Sequence, residues 1–293
     1  MIELSNNNYD KIYKKLNTPW VESPIFNQIK GYKNTNPKLL KLAEKFNRDG
    51  YIVIDLGLSK KTINDTIQDI KDHAIKPNSK KNPDIYHYNE SPRIIEAYKT
   101  SKKIKNLCLN KKIINLLKFF YEKKPIPFNS INFLKGTDQP FHSDYIHFSS
   151  SPHKYLAAAW IALEKTDEYN GPLQVVPGSH KLDLIDYSLF GLKKPASLKE
   201  LSKFYSIYEN YIKDLIKCKK IKTKTIKMKE GQALIWAANI LHGGKKIIDK
   251  NRTRFSQVTH YHFDKCNFIY NPGFSDPMNG VFAYRNLKDL AIK

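Results

Sequence analysis

The second half of the chain consists of short β-prone runs separated by Gly, Pro and Asn turns. From residue 129 onward these runs include SINFLK, KYLAAAWIAL, PLQVVP, IKTKTIKMK, ALIWAANIL and TRFSQVTHYHF. Strands this short, with no helix alternating between them, favour a sandwich or a barrel over a parallel sheet. The pattern therefore predicts a β-sandwich or β-barrel core for this half of the protein.

The first half of the chain is mainly helical. Apolar residues recur at helical spacing in PKLLKLAEKFNRDG, where Pro37 suits the first turn and Gly50 the position just past the end. The run YIVIDL at 51–56 predicts a short strand, and Ser59 is placed to cap a second helix. Residues 101–121 predict a further helix, so helices precede and flank the β core.

No linker or repeat divides the 293 residues, so residues 1–293 are predicted to form one domain. In this interpretation 1–124 is the mainly helical part, 125–265 the β core and 266–293 a C-terminal tail. Residues 181–217 interrupt the strands with a polar and then helical segment. An insert of this size in a β-barrel usually lies over the mouth, where it can act as a lid.

Composition excludes several classes of protein. Apolar residues make up 41% of the chain, which excludes wholesale disorder, and no run approaches the roughly 20 apolar residues of a membrane span. The first residues lack the apolar core of a secretory signal. Three scattered cysteines are too few for a disulfide framework or a zinc clip. We therefore expect a soluble protein of a reducing compartment, the cytoplasm, with no membrane partner.

The net charge of +22 invites a nucleic-acid reading. However, only five of the 50 basic residues are Arg, the residue on which base and phosphate contacts rely. No nucleic-acid partner is therefore expected. A basic nucleic-acid-binding protein stays as an alternative, and it predicts steeply salt-dependent binding to DNA or RNA.

The segment QPFHSDYIHF, residues 139–148, carries the main chemical signal. His142 and Asp144 are two residues apart, so on an extended strand both side chains would point to one face. His242 stands at the end of the apolar run WAANILHGG, before two glycines that would let the backbone turn. Two imidazoles and one carboxylate are the facial triad of non-haem Fe(II) oxygenases. By itself HxD is a weak signal, since such pairs arise by chance.

An arginine strengthens the hypothesis. Arg254 follows His242 by twelve residues and is placed on the next strand in this lysine-dominated chain. A guanidinium grips a carboxylate bidentately, as an ammonium cannot, and the far carboxylate of a 2-oxo acid is such a group. Ser256 shares the face of Arg254 and could hydrogen-bond the same carboxylate. The alternative, a surface Arg in the turn KNRTR, suits Arg252 better.

The ordered blocks QPFHSD, AAWIALE, NGPLQVVPGSHK, LHGG and NRTRFSQVTHYHF resemble the phytanoyl-CoA dioxygenase family of Fe(II)/2-oxoglutarate oxygenases. The resemblance covers about residues 125–265. It implies an α+β fold with a double-stranded β-helix (jelly-roll, cupin-like) core, flanking N-terminal helices and a helical insert. It also implies that His142, Asp144 and His242 bind Fe(II), and that Arg254 holds 2-oxoglutarate, with dioxygen as the second co-substrate.

Further site residues carry over from the same resemblance. Trp160 of AAWIALE corresponds to a tryptophan near the co-substrate, Gln139 is a near-site polar group, and Lys135 lies where relatives can place a co-substrate contact. Many relatives have Ser where this chain has Gly244, so a hydroxyl contact is missing there. The presence of Asp144 disfavours the halogenating relatives, which replace that carboxylate.

The implied activity is that of an Fe(II)- and 2-oxoglutarate-dependent dioxygenase that hydroxylates a small organic substrate, releasing succinate and CO2. Lysines in the variable segments 80–100 and 181–217 favour an anionic substrate. A barrel with an idle metal site is a further alternative, and a macromolecular substrate another. Of the other candidates, Trp236 is interpreted as a core residue, His260 as a core or rim residue and His147 as a surface residue. The oligomeric state and the substrate are not readable from the sequence.

Overall fold

The structure is a computed structural model that describes residues 12, 14–30, 36–75, 85–88, 91–185, 187–191 and 197–270. Its α-helices are α1 (Phe26–Ile29), α2 (Pro37–Asp49), α3 (Lys60–Ile75), α4 (Lys102–Cys108), α5 (Lys111–Tyr121) and α6 (Leu198–Cys218). Among the described helices, none combines the length and the apolar character needed to cross a membrane.

The strands are β1 (Tyr51–Asp55), β2 (Ile85–Tyr88), β3 (Ser91–Ile95), β4 (Pro125–Phe133), β5 (Phe148–Ser151), β6 (Leu156–Ala162), β7 (Leu173–Val175), β8 (Lys224–Ile226), β9 (Gln232–Ala237), β10 (His242–Gly244), β11 (Ser256–Phe263) and β12 (Asn267–Tyr270). A seven-stranded sheet has the order β1-β9-β6-β11-β4-β3-β2, and a three-stranded sheet has the order β10-β7-β8. Every strand pairing in these sheets is antiparallel. Strands β5 and β12 form a separate pair.

The large sheet is buried on both faces, which explains the apolar sequence of β6. Ala158 and Trp160 pack with Val175 and Ile226 of the small sheet. The alternate residues of β6, such as Ala159, pack against the helices instead. Because neighbouring strand residues point to opposite faces, a strand buried on both sides must be apolar at every position. The predicted α+β sandwich of sheets with flanking helices is confirmed.

Helix α2 starts and ends where the sequence predicts. The Asn36 side chain accepts a hydrogen bond from Lys38 N at the start of α2, and Gly50 ends that helix with a φ of +80°. That left-handed conformation is one that glycine adopts without steric cost. The predicted helix over 101–121 is instead two helices, because the Asn110 side chain accepts from the first backbone N–H groups of α5 and so starts a new helix.

The large sheet extends beyond the segment predicted to contain the core. Strands β1, β2 and β3 come from residues 1–124, the part predicted to be mainly helical, and they form the two edges of the large sheet. Strand β12, which pairs with β5, lies in the predicted C-terminal tail. The β2–β3 hairpin adds to β4, with Arg93 opposite Phe133. An edge pairing of this kind depends on a partner strand far along the chain, which local patterning does not show.

Candidate metal centre

Backbone pairing brings the two histidines of the predicted triad together. The N–H of His142 donates to the carbonyl of His242 at 2.9 Å, and the N–H of His242 donates to the carbonyl of His142 at 2.9 Å. This single antiparallel bridge adds residue 142 to the edge of the small sheet. Directly opposite residues have adjacent side chains, and the two imidazole rings lie 4.5 Å apart between centroids.

A turn, rather than a strand, supplies the carboxylate. Asp144 begins a 3-10 helix over Asp144–Ile146, and its N–H donates to Ala238 O at 2.9 Å. The predicted extended strand through His142 and Asp144 is therefore wrong, because the chain bends immediately after one bridge. The ligand atoms of the three predicted residues, Asp144 and the two histidines His142 and His242, nevertheless lie within 4.8 Å of one another, and all three are buried.

The position of His242 also differs from expectation. Strand β9 ends at Ala237, and His242 opens β10 in the other sheet instead of ending the apolar strand. The glycines after it serve close packing rather than a turn. A Cβ atom at Gly243 would lie 2.8 Å from Gln139 O, and one at Gly244 would lie 3.0 Å from Asp138 N. A seryl side chain in place of Gly244 would therefore crowd the backbone before His142.

The Nδ1 atom of each of the two histidines faces a backbone carbonyl. His142 Nδ1 lies 2.9 Å from Pro140 O, and His242 Nδ1 lies 3.2 Å from Ile240 O. A carbonyl only accepts, so Nδ1 carries a proton in both rings, and Nε2 is the nitrogen that can bind a metal. Burial, and then His242, holds the pKa of His142 well below its usual value. The lowered pKa keeps His142 neutral, which is the form in which an imidazole binds a metal.

The Asp144 carboxylate is held from several sides. Trp236 Nε1 donates to Oδ2 at 2.7 Å, while Oδ1 lies 3.7 Å from His242 Nε2 and 3.5 Å from His260 Nε2. Burial alone would raise the pKa of Asp144, but the imidazoles of His242 and His260 keep it below its ordinary value. An ionised carboxylate beside imidazole nitrogens suits a divalent cation such as Fe(II).

Sequence reasoning missed the contact of Trp236. The residue does pack in the core, as predicted, but its indole N–H also donates to the carboxylate of Asp144. The alternation along β9 places Trp236 on the face shared with Leu234, toward the small sheet. That alternation was the available signal, although it does not reveal which polar atom the indole meets.

Arg254 lies at the back of the same cavity, 1% exposed. Its Nη1 donates to Gly171 O at 2.5 Å, and its Cζ lies 5.3 Å from the ring centroid of Trp160. Arg254 precedes β11 by two residues, so the prediction that it lies on a strand is wrong. Its Nε and the Nε1 of Trp160 are buried donors with no hydrogen-bond partner among the described residues. In the described part of the chain no carboxylate is within ion-pair distance of Arg254, so an external carboxylate fits.

The other predicted site residues differ in their position relative to the cavity. Gln139 lies at the site, since its Nε2 is 3.2 Å from Nε2 of His142. Ser256 is buried on the expected strand, but its hydroxyl donates to the carbonyl of Arg254 at 3.3 Å. Lys135 does not line the cavity, because its Nζ is directed to Lys250 O at 2.8 Å on the exposed side.

The cavity has a volume of about 750 Å³. Helix α6, from the predicted insert, supplies Ser202, Tyr205 and Tyr208 to its wall. Tyr208 Oη accepts from the backbone N–H of Ser143 at 2.9 Å, between the two ligands of the HxD pair. His147, expected at the surface, also lines the cavity. The insert therefore covers the cavity and contacts the metal-binding turn directly.

Two antiparallel sheets surround a buried triad of two histidines and one carboxylate, and the arginine behind it has no carboxylate partner among the described residues. This arrangement is typical of the class of non-haem Fe(II)/2-oxoglutarate oxygenases. The donor set fits Fe(II), and the orphaned donors of Arg254 and Trp160 fit a dicarboxylate. Sequence comparison identifies the family within this class. The family model for phytanoyl-CoA dioxygenase (PhyH) matches residues 46–254, and the chain belongs to that family.

Individual relatives are distant. The peroxisomal phytanoyl-CoA dioxygenase of Rattus norvegicus is 27% identical over 144 residues, covering 48% of this chain and 38% of the rat protein. A phytanoyl-CoA dioxygenase domain-containing protein 1 homolog of Caenorhabditis elegans is 26% identical, covering 48% of this chain and 64% of that protein. The matches thus span less than two thirds of the length of either curated relative.

Solved structures share the fold at low identity. The 2-oxoglutarate-dependent carbocyclase SnoK from nogalamycin biosynthesis superposes with a TM-score of 0.63 at 14% identity, covering 88% of this chain and 96% of that chain. EctD from S. alaskensis, with 2-oxoglutarate and 5-hydroxyectoine bound, superposes with a TM-score of 0.57 at 18% identity, covering 78% and 76%. These similarities confirm the predicted jelly-roll fold.

Proposed function

We propose that this protein is a dioxygenase dependent on Fe(II) and 2-oxoglutarate that hydroxylates a small organic substrate, releasing succinate and CO2. The observation that carries the proposal is the meeting of the His142, Asp144 and His242 ligand atoms in one cavity with Arg254, which has no carboxylate partner among the described residues. Family membership supports the same reading.

The residues of the site would have separate roles in binding the metal and the co-substrate. The Nε2 atoms of His142 and His242 and the Oδ1 atom of Asp144 would hold Fe(II) from one side, leaving positions for co-substrate and dioxygen. Arg254 and Trp160 would donate to the far carboxylate of 2-oxoglutarate. When bound, the iron and 2-oxoglutarate supply the oxidising chemistry, and the protein supplies orientation and a shielded cavity.

The decisive experiment is anaerobic addition of Fe(II) and 2-oxoglutarate, followed by optical spectroscopy. The parent protein should develop the weak visible charge-transfer band of an Fe(II)–2-oxoglutarate chelate. Asp144→Ala should abolish the band and succinate release, because a buried ligand is lost. Arg254→Ala should keep the metal but raise the half-saturating 2-oxoglutarate concentration about 10- to 100-fold, the value of one charged hydrogen-bonded contact.

The alternatives predict other results. An idle barrel would give no band in the parent protein. A nucleic-acid-binding protein would bind DNA or RNA with a steep salt dependence, and Asp144→Ala would leave that binding intact. Unchanged 2-oxoglutarate decarboxylation in both variants would refute the assignment of the site.

A further inference from the structure

Helix α6 directs a polar face toward the cavity. This face consists of four residues at helical spacing that all line the cavity, namely Ser202, Tyr205, Ser206 and Glu209. The adjacent stripe of the helix is apolar and is buried in one cluster through Leu201 and Ile212. Because the apolar stripe is packed, the direction in which the polar face points is fixed.

Glu209 carries the negative charge of this polar face and is partly buried. Lys213 follows it by four residues, a spacing and order that favour an ion pair on a helix. That pair does not form, and across the described residues no cationic side chain is within ion-pair distance of the Glu209 carboxylate. The side chain of Glu209 lines the cavity instead.

The arginines of the cavity do not neutralise Glu209 either. Arg93 and Arg254 also line the cavity. Burial raises the pKa of Glu209, and no positive charge in the described structure acts on it in the opposite direction. A partly buried carboxylate without a cationic partner is unfavourable, because burial penalises the charged form. A cation bound beside Glu209 would remove that penalty.

The other carboxylates on the described cavity wall already have partners or roles. Glu96 forms an ion pair with Lys99. Asp144 accepts from Trp236 and is the predicted metal ligand. Glu209 is therefore the carboxylate of the described wall that is left for a group of the substrate.

The lysines of the insert do not reach the cavity. No lysine is among the described residues that line it, although lysines far outnumber arginines in the chain. The prediction of an anionic substrate relied on lysines in 80–100 and 181–217. The charge that α6 contributes to the cavity has the opposite sign, since it comes from Glu209.

The cavity is polar at its mouth and apolar further in. Ser202 and Ser206 are exposed, so the polar face of α6 lies at the mouth. The inner wall includes Phe128 and Val258, which are 6% and 5% exposed. A substrate that fits both parts has an apolar body and a polar end that donates hydrogen bonds.

We infer that Glu209 binds a protonated amine of the substrate at the mouth of the cavity, with the hydroxyls of Ser202 and Ser206 as further acceptors. The inference rests on the proposed function, which makes this cavity the active site. An ammonium group offers three N–H donors, and its hydrogen bond to a carboxylate is assisted by charge. The substrate class is therefore an amine with an apolar body.

The test uses protein loaded with Ni(II), which blocks turnover, and saturated with 2-oxoglutarate. Ligand-observed NMR then measures the dissociation constant of benzylamine against those of neutral benzyl alcohol and anionic benzoate. The parent protein should bind benzylamine about 10-fold more tightly than benzyl alcohol, the value of a hydrogen bond to a charged group. Glu209→Gln should lose that preference, and Glu209→Asp should keep part of it.

The matched control is Asp214→Asn, because Asp214 is an exposed carboxylate on the same helix and does not line the cavity. It should keep the full preference for benzylamine. The inference is overturned if the parent shows no such preference or binds benzoate more tightly than benzylamine. A preference that survives Glu209→Gln, or that Asp214→Asn removes equally, also overturns it. Failure of 2-oxoglutarate to bind the metal-loaded parent would instead overturn the proposed function.

Discussion

The indole of Trp236 decides how Asp144 can meet a metal. Its N–H occupies Oδ2 at 2.7 Å, so Oδ1 is the oxygen that remains on the side of His242. Partners of this kind set the orientation of a ligand and the charge it offers. One oxygen of the Asp144 carboxylate is thus hydrogen-bonded to the protein, and the other is available to a cation.

Trp236→Phe should weaken metal binding about 10- to 100-fold, the usual cost of removing a partner of a metal ligand. The buried Oδ2 of Asp144 loses its donor and becomes free to rotate. Titration with Mn(II) followed by electron paramagnetic resonance measures the affinity without any turnover.

Trp160→Phe is the matched control for this prediction. Trp160 is buried in the same core cluster as Trp236, but its Nε1 has no hydrogen-bond partner in the described part of the chain. Its substitution should leave the Mn(II) affinity unchanged. Equal losses in the two variants would assign the effect to lost volume instead of to the hydrogen bond.

At the scale of elements, α6 is the part of the insert that reaches the metal-binding turn. Leu201, Tyr208 and Ile212 of this helix pack in one cluster with Ile146 and Leu241. Those two residues adjoin the ligands Asp144 and His242. A helix that both covers the cavity and contacts its metal-binding turn couples closure of the cavity to the geometry of the site.

Tyr208→Phe should loosen the HxD turn. The N–H of Ser143, which is 2% exposed, loses its acceptor, at a cost of about 1–3 kcal/mol for an unsatisfied buried donor. Hydrogen exchange at the Ser143 amide should accelerate about 10- to 100-fold by the same energy.

Tyr211→Phe on the same helix is the control, because Tyr211 is 38% exposed and its ring meets Phe190 away from the turn. Exchange at Ser143 should not change in this variant. If Tyr208→Phe also leaves exchange unchanged, α6 does not hold the turn through this hydroxyl.

At the scale of the whole molecule, the helical layer stabilises the outer face of the large sheet. Tyr121 at the end of α5 stacks on Phe263 of β11 with ring centroids 4.1 Å apart. Its hydroxyl donates to Oε1 of the buried Glu22 at 2.8 Å. Burial raises the pKa of Glu22 to about 7, against the opposing effects of Lys154 and the Tyr121 hydrogen bond.

Glu22 should make stability fall as the pH rises. Its pKa is about 7 in the folded protein and near the ordinary 4.5 when unfolded, so between these values the folded state binds more protons. The stabilisation is therefore complete below pH 4.5 and is lost as the pH rises toward 7. Relative to the parent, Glu22→Gln should gain about 3 kcal/mol between pH 4.5 and pH 8.

Urea unfolding at several pH values measures this difference, and comparison with the variant cancels the other titrating groups. Parallel stability curves for the parent protein and Glu22→Gln would contradict a raised pKa at Glu22.

Much of the fold follows from local properties of the chain. Helix caps, Gly50, the continuous apolar run of β6 and the β texture after residue 129 are each determined by a few neighbouring residues. The choice of two His and one Asp as ligands is equally local in character, because it follows from the chemistry of the side chains. These features could be predicted because steric and donor–acceptor rules act over short distances.

The tertiary structure alone decided how those side chains meet. The bridge between residues 142 and 242 replaces the predicted strand, and close packing against the backbone explains Gly243 and Gly244. Trp236 and Arg93 reach the site from strands whose partners lie far along the chain. Strand register sets which side chains become neighbours, and it results from the packing of the entire molecule. The sequence thus determined which side chains can serve as metal ligands, and the fold determined the surroundings that orient and charge them.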